Sequence, residues 1–177
     1  MVQAEATLYK SGPATIMFKG EFVIDDVYKT IKKWFSENRL KFYELLYKDK
    51  GDPLDTRMIQ IKLYGDRKVT EYYKHKVDVE IGVDNYKEKV ITIDNKKQKI
   101  GQGKIIIKIN GNVIADHKDL FKVEGKSYVK KFYDFLGELL FSIRRVEFAK
   151  KEIAALAKEL AMLSKAVKKS LNMESTN

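Results

Sequence analysis

The chain has no cysteine and only two prolines in 177 residues. The missing cysteine excludes disulfides and thiolate chemistry, and it fits a reducing compartment, so a cytoplasmic location is the expectation. Scarce proline, ten glycines and 44% hydrophobic residues exclude a disordered chain. No stretch approaches the roughly 20 consecutive apolar residues of a membrane helix, so no membrane span is expected. The start, Met1 to Ala6, lacks a basic region followed by an apolar one, which predicts no signal peptide. Catalytic signatures are missing too. There is no phosphate-binding Gly-Lys-Ser/Thr loop and no nucleophile elbow, and no third glycine follows Gly101-Gln102-Gly103. His75 and His117 have no second ligand at metal spacing. Asp49, Asp52 and Asp55 lack the spacing of a calcium loop and read as a solvated turn. No catalytic, cofactor-binding or metal-binding residue is assigned, and the chain reads as non-enzymatic.

What is present is lysine and a long helical pattern. Lys plus Arg number 35 against 25 acids, a net charge of +10. Residues 126–177 hold 11 basic and 6 acidic residues, so +5 of that excess sits on the C-terminal segment. Such a charge suits an anionic partner, and it equally suits a surface kept soluble by lysine.

From Lys126 to Leu171 one helical pattern runs unbroken by proline. Phe132, Leu139, Val146, Ile153, Leu160 and Val167 recur every seven residues, with Phe135, Ser142, Ala149, Leu156, Leu163 and Ser170 three further on. At 1.5 Å per residue this rod spans about 69 Å. A globule of the preceding 125 residues is only about 36 Å across. Phe132 to Phe148 carries apolar residues around much of its circumference, which predicts burial on the domain. From Ile153 the stripe narrows to two positions per heptad, the pattern of a coiled-coil seam. Arg144, Lys151, Lys158 and Lys165 form the outer face, each seven apart.

Upstream, Ala14–Val23 reads as a strand, and Asp25 and Asp26 as a helix cap. A short helix carries Val27, Ile31, Trp34 and Phe35 on one face and Lys29, Lys32 and Lys33 on the other, with Asn38 as its stop. Leu40–Tyr47 fits either strand or helix and is taken as a strand. Strands are expected at Arg57–Tyr64, Val69–Val83, Lys87–Asp94 and Lys99–Ile109, with a last one starting at Val113. Turns are expected at Lys50–Pro53, Gly65-Asp66 and Asn110-Gly111. Gly101 and Gly103 mark a bulge or bend. The expected fold is α+β. A curved antiparallel sheet of about six strands has a short helix after its first strand, and a long C-terminal helix packs on the sheet and projects beyond it. The organisation is a domain at 1–148, a helical extension at 149–171 and a disordered tail at 172–177.

This order of elements, in Ala14–Val23, Asp26–Glu37, the strands between Arg57 and Asp116, and Lys126–Phe148, resembles the START/Bet v1-like helix-grip fold. The resemblance implies an apolar cavity between sheet and helix that would carry a small apolar molecule. It implies no particular ligand.

Two clusters have competing readings. In Val69–Val83 the odd residues form an apolar face that Glu71, Tyr73 and His75 interrupt. These three are either a polar cluster in a cavity, with His75 tuned by Glu71, or a strand end reaching solvent. Lys96, Lys97, Lys99, Lys104 and Lys108 either bind an anion such as nucleic-acid phosphate or protect a sheet edge. No aromatic residue lies among them to stack a base. The leading functional expectation is a binding or assembly protein that forms a homodimer through Ile153, Leu156, Leu160, Leu163 and Val167. A carrier of an apolar ligand and a basic RNA- or ribosome-associated protein are the alternatives.

Overall fold

The computed structural model describes residues 7–10, 14–51, 57–70, 73–93, 96–115 and 150–173, with the backbone alone at 7–9, 91–93, 96–99 and 115. Its elements are β1 (Thr7–Lys10), β2 (Ala14–Phe22), α1 (Ile24–Glu37), β3 (Lys41–Gly51), β4 (Arg57–Lys68), β5 (Tyr73–Ile93) and β6 (Lys96–Ala115). A terminal helix, α2, covers residues 150–170. The fold is α+β, and every strand pairing is antiparallel. β3, β4, β5 and β6 are consecutive neighbours. β1 and β2 lie end to end along the remaining edge of β6, so six strands fill five positions of an unclosed sheet.

Period-two alternation sorts the side chains. Ile59, Ile61 and Leu63 of β4, Val77, Val79, Ile81 and Val83 of β5, and Ile105, Ile107 and Ile109 of β6 form one buried face. Register places Lys62, Glu80 and Lys108 in a row on the opposite face, where Lys62 Nζ lies 2.8 Å from Glu80 Oε1. Both helices lie on the apolar side and share its core.

α1 buries Val27, Ile31, Trp34 and Phe35, as its spacing predicts, and leaves Lys29, Lys32 and Lys33 exposed. Asp25 and Asp26 are not its cap. Val23 holds that position without a side-chain bond, and the two acids sit in the first turn, where they complement the helix dipole. The C-terminus closes with the Leu40 N–H on the Phe35 carbonyl and the Arg39 N–H on that of Ser36. Arg39 occupies the left-handed region there, with φ 55. α2 closes in the same way. Asn172 has φ 52, and Met173 N–H donates to the Lys168 carbonyl at 2.9 Å. The expected tail therefore begins with two residues that cap the helix.

Two expected turns lie inside strands. β4 runs straight through Gly65-Asp66, and β6 through Asn110-Gly111. Each glycine is a place where a helix presses on the sheet. A Cβ at Gly65 would stand 2.4 Å from Phe35 Cε1, and one at Gly111 would stand 2.5 Å from Leu160 Cδ1. The expected bend at Gly101 and Gly103 falls on the neighbouring strand. β5 shifts register between Asp84 and Lys87, with Asn85 at φ 54, and the Tyr86 ring covers Gly101. β5 thus continues to Ile93 rather than ending at Val83.

The heptad spacing assigns Ile153, Leu156, Leu160, Leu163 and Val167 to an interface between copies. The structure gives them a different partner. Leu156, Leu163 and Val167 are fully buried, Leu160 is nearly so and Ile153 packs against the same cluster, all within the chain's own core. A two-position stripe satisfies a flat apolar sheet as well as a second helix, and here the sheet covers it. The apolar stripe of 153–171 therefore packs into the core that the sheet and α1 share. The stretch from Lys126 to Ala149, Asp52 and Pro53 of the expected turn, and tail residues 174–177 lie outside the described residues.

Leu163→Ala will lower the unfolding free energy by about 2–5 kcal/mol in urea titration. A change confined to solution mass, with stability intact, would contradict this packing. Arg39→Gly will raise stability by about 1 kcal/mol, because glycine removes the cost of a left-handed residue.

Candidate functional site

β4 carries two of the chain's five arginines, one near each end of its buried side. Arg57 pairs with Asp49 of β3, lies 2.8 Å from Glu88 of β5 and sits over the Tyr86 ring at 5.9 Å. Arg67, ten residues on, reaches three elements. Its Nη1 donates to the Asn38 carbonyl at the end of α1 at 2.8 Å. Its Nη2 donates to Glu159 Oε1 of α2 at 2.7 Å and lies 3.2 Å from His75 Nδ1 of β5. α1 has no basic residue in its last turn, so Arg67 brings a cation to its exposed carbonyls from another strand.

His75 is 1% exposed. An arginine only donates, so Nδ1 accepts and the neutral ring carries its proton on Nε2. Nε2 stands 3.0 Å from Glu152 Oε2, yet it makes no aligned hydrogen bond. The two facts pull in opposite directions, because a carboxylate at that distance favours an imidazolium. Burial opposes it, and so does the Arg67 charge. Together they hold the ring's pKa down at about 4. His75 is therefore a neutral buried contact between sheet and α2. Of the polar cluster expected from sequence, Tyr73 and His75 are both buried on the inner face, and Glu71 lies outside the described residues. The acid beside His75 is Glu152, 77 positions further along the chain, which strand periodicity had no way to reveal.

This arrangement uses the acids of α2. Glu152 faces His75 and Glu159 binds Arg67, so both point at the sheet. Lys150, Lys151, Lys158, Lys165, Lys168 and Lys169 are exposed. The solvent face of the described helix is therefore charged by lysine alone. Its last turns border a groove of about 1020 Å³, with Ala14, Thr15 and Ile16 of β2 on one side and Ala161, Ser164, Lys165, Lys168, Lys169 and Met173 of the helix region on the other. Apolar and small polar residues line the groove together with three lysines.

The expected anion-binding set is not gathered in one place. Lys104 and Lys108 are exposed on the outer face of β6, and the side chains of Lys96, Lys97 and Lys99 lie outside the described residues. Lys104 instead joins Lys19 and Lys87 around a shallow depression of about 430 Å³ at the β5 bulge. Lys165 belongs to the outward stripe legible in the heptads, whereas Lys168 and Lys169 become part of a site only because β2 runs beside them. Tyr43 and Tyr64 stack with centroids 5.5 Å apart on the outer sheet face, under Lys41 and Lys76. No family model matches the chain, and comparison with curated proteins finds no sequence match.

Folding holds His75 neutral down to about pH 4, whereas an unfolded imidazole takes up its proton near 6.5. The unfolded state binds more protons between these values. Stability is therefore full above about pH 6.5 and falls as pH drops towards about 4, by on the order of 3 kcal/mol. In His75→Leu this part of the slope will flatten in urea unfolding across a pH series. An unchanged slope would place the titration elsewhere.

Proposed function

We propose that the chain is a non-enzymatic binding module for an acidic protein segment, held on the lysine face of α2 and its groove. One observation carries this reading. Both acids of the described helix are turned onto Arg67 and His75, which leaves its exposed charges all of one sign. A surface lysine usually has acids interspersed around it, and a one-sign face attracts the opposite charge over roughly a Debye length.

An acidic protein fits better than a nucleic acid. The exposed face of α2 has lysine but neither arginine for bidentate phosphate contacts nor an aromatic ring for stacking. The paired rings of Tyr43 and Tyr64 belong to β3 and β4, on the sheet face away from the helices. The helix-grip resemblance remains our reading of the architecture. An antiparallel sheet, a helix after β2 and a terminal helix on the apolar face support it. Among the described residues Val77, Val79, Val83, Ile105 and Ile107 are fully buried, so the described face supports an architecture and not a ligand. Self-association through the heptad stripe loses its support, since those residues already have a partner in the core.

Polyglutamate is the direct probe. Fluorescence anisotropy at about 50 mM salt will show binding that weakens about tenfold or more by about 0.5 M. The combined variant Lys158→Gln, Lys165→Gln, Lys168→Gln, Lys169→Gln will lose it while keeping its unfolding midpoint. Absence of binding at low salt would overturn the proposal, as would tighter binding of RNA through the same lysines.

A further inference from the structure

The two outer edges of the sheet are built differently. β3, at one edge, is defended against strand pairing. It shifts register between Glu44 and Leu46, exposes Lys41, Lys48 and Lys50, and ties Asp49 to Arg57. β2 has none of this in its first half. It pairs with β6 through nine consecutive residues, from Ala14 opposite Ile109 to Phe22 opposite Gly101, without a shift. Its first five residues, Ala14 to Phe18, are uncharged. Among the described residues nothing pairs with its outer side. A regular, uncharged, open edge is a template for another strand.

That edge borders the groove. Ala14, Thr15 and Ile16 line it over about 10 Å of strand, opposite a helix region that covers about 18 Å from Ala161 to Met173. A strand laid beside β2 would place alternate side chains over Ala14 and Ile16, against Ala161 and Met173 and within reach of Lys165, Lys168 and Lys169.

The geometry points to strand addition: an extended segment of the acidic partner pairs with the open edge of β2 and sets a carboxylate at every second residue against the α2 lysines. Main-chain hydrogen bonds supply affinity, and the groove lysines select for acidic side chains. A nucleic acid could use the lysines but has no backbone to continue the sheet. This inference rests on the acidic-partner reading and adds the mode of binding.

The test uses the full chain and a fluorescent peptide of about eight residues, alternating glutamate and valine, whose main chain can form a strand. A second peptide has the same side chains with alternate amides N-methylated, which keeps the charge and removes the donors of one edge. The first will bind, and its binding will slow amide exchange across Ala14–Phe18. The second will bind about tenfold or more weakly, the loss of two to three hydrogen bonds. The Lys165→Gln, Lys168→Gln, Lys169→Gln variant will weaken the first peptide to a similar extent. Equal affinity of the two peptides would overturn strand addition while leaving the acidic-partner reading intact. Failure of both peptides and of polyglutamate would overturn both. Protection elsewhere than β2 would place the groove outside the binding mode.

Discussion

The guanidinium of Arg67 joins the parts of this fold. It stands on β4 and touches the last carbonyl region of α1, the imidazole of β5 and a carboxylate of α2. A flat fork with five donors can serve three directions at once, which a lysine ammonium on a flexible stem does not do with fixed geometry. The division of labour runs through the described chain. Arg57 and Arg67 bridge elements on the inner face, and lysine covers the outside. By holding Glu159, Arg67 also decides which charges α2 can show to solvent. The same contact that fastens the helix leaves its outer face basic.

Much of this architecture was legible in local patterns. The buried face of α1, the alternation of β5 and the apolar stripe of α2 all follow from spacing, and β3 takes the strand alternative for its ambiguous segment. What misled was glycine and the heptad. Gly65 and Gly111 carry the composition of turns, beside Asp66 and Asn110, yet each marks close approach by Phe35 or Leu160. Sequence shows that a side chain is missing, and only the packed neighbour shows whether the space is needed for a turn or a contact. The heptad poses the same ambiguity. Ile153, Leu156, Leu160, Leu163 and Val167 specify that one face must leave water and are silent about which surface receives it.

The candidate site was legible only as a charge excess. Lys165 could be placed on an outward stripe, but the groove needs β2, some 150 residues earlier in the chain, to lie alongside. His75 was visible as an interruption of an apolar face, while the atoms around it come from β4 and α2. Long-range pairing of this kind leaves no local trace, because each partner is an ordinary residue of its own element.

The pairing of β2 with β6 has a bearing on synthesis. Ile16 meets Ile107, and the core they help form is then roofed by Leu156, Leu163 and Val167. A ribosome makes about 5–20 residues per second, so several seconds separate completion of the β5–β6 hairpin from arrival of the roof. During that interval α1 is already available to the apolar face, but the core residues of α2 and its cap are still missing from it. Transiently exposed apolar surface is what makes a partly made chain prone to aggregate, and the order of the elements leaves this face to be completed late.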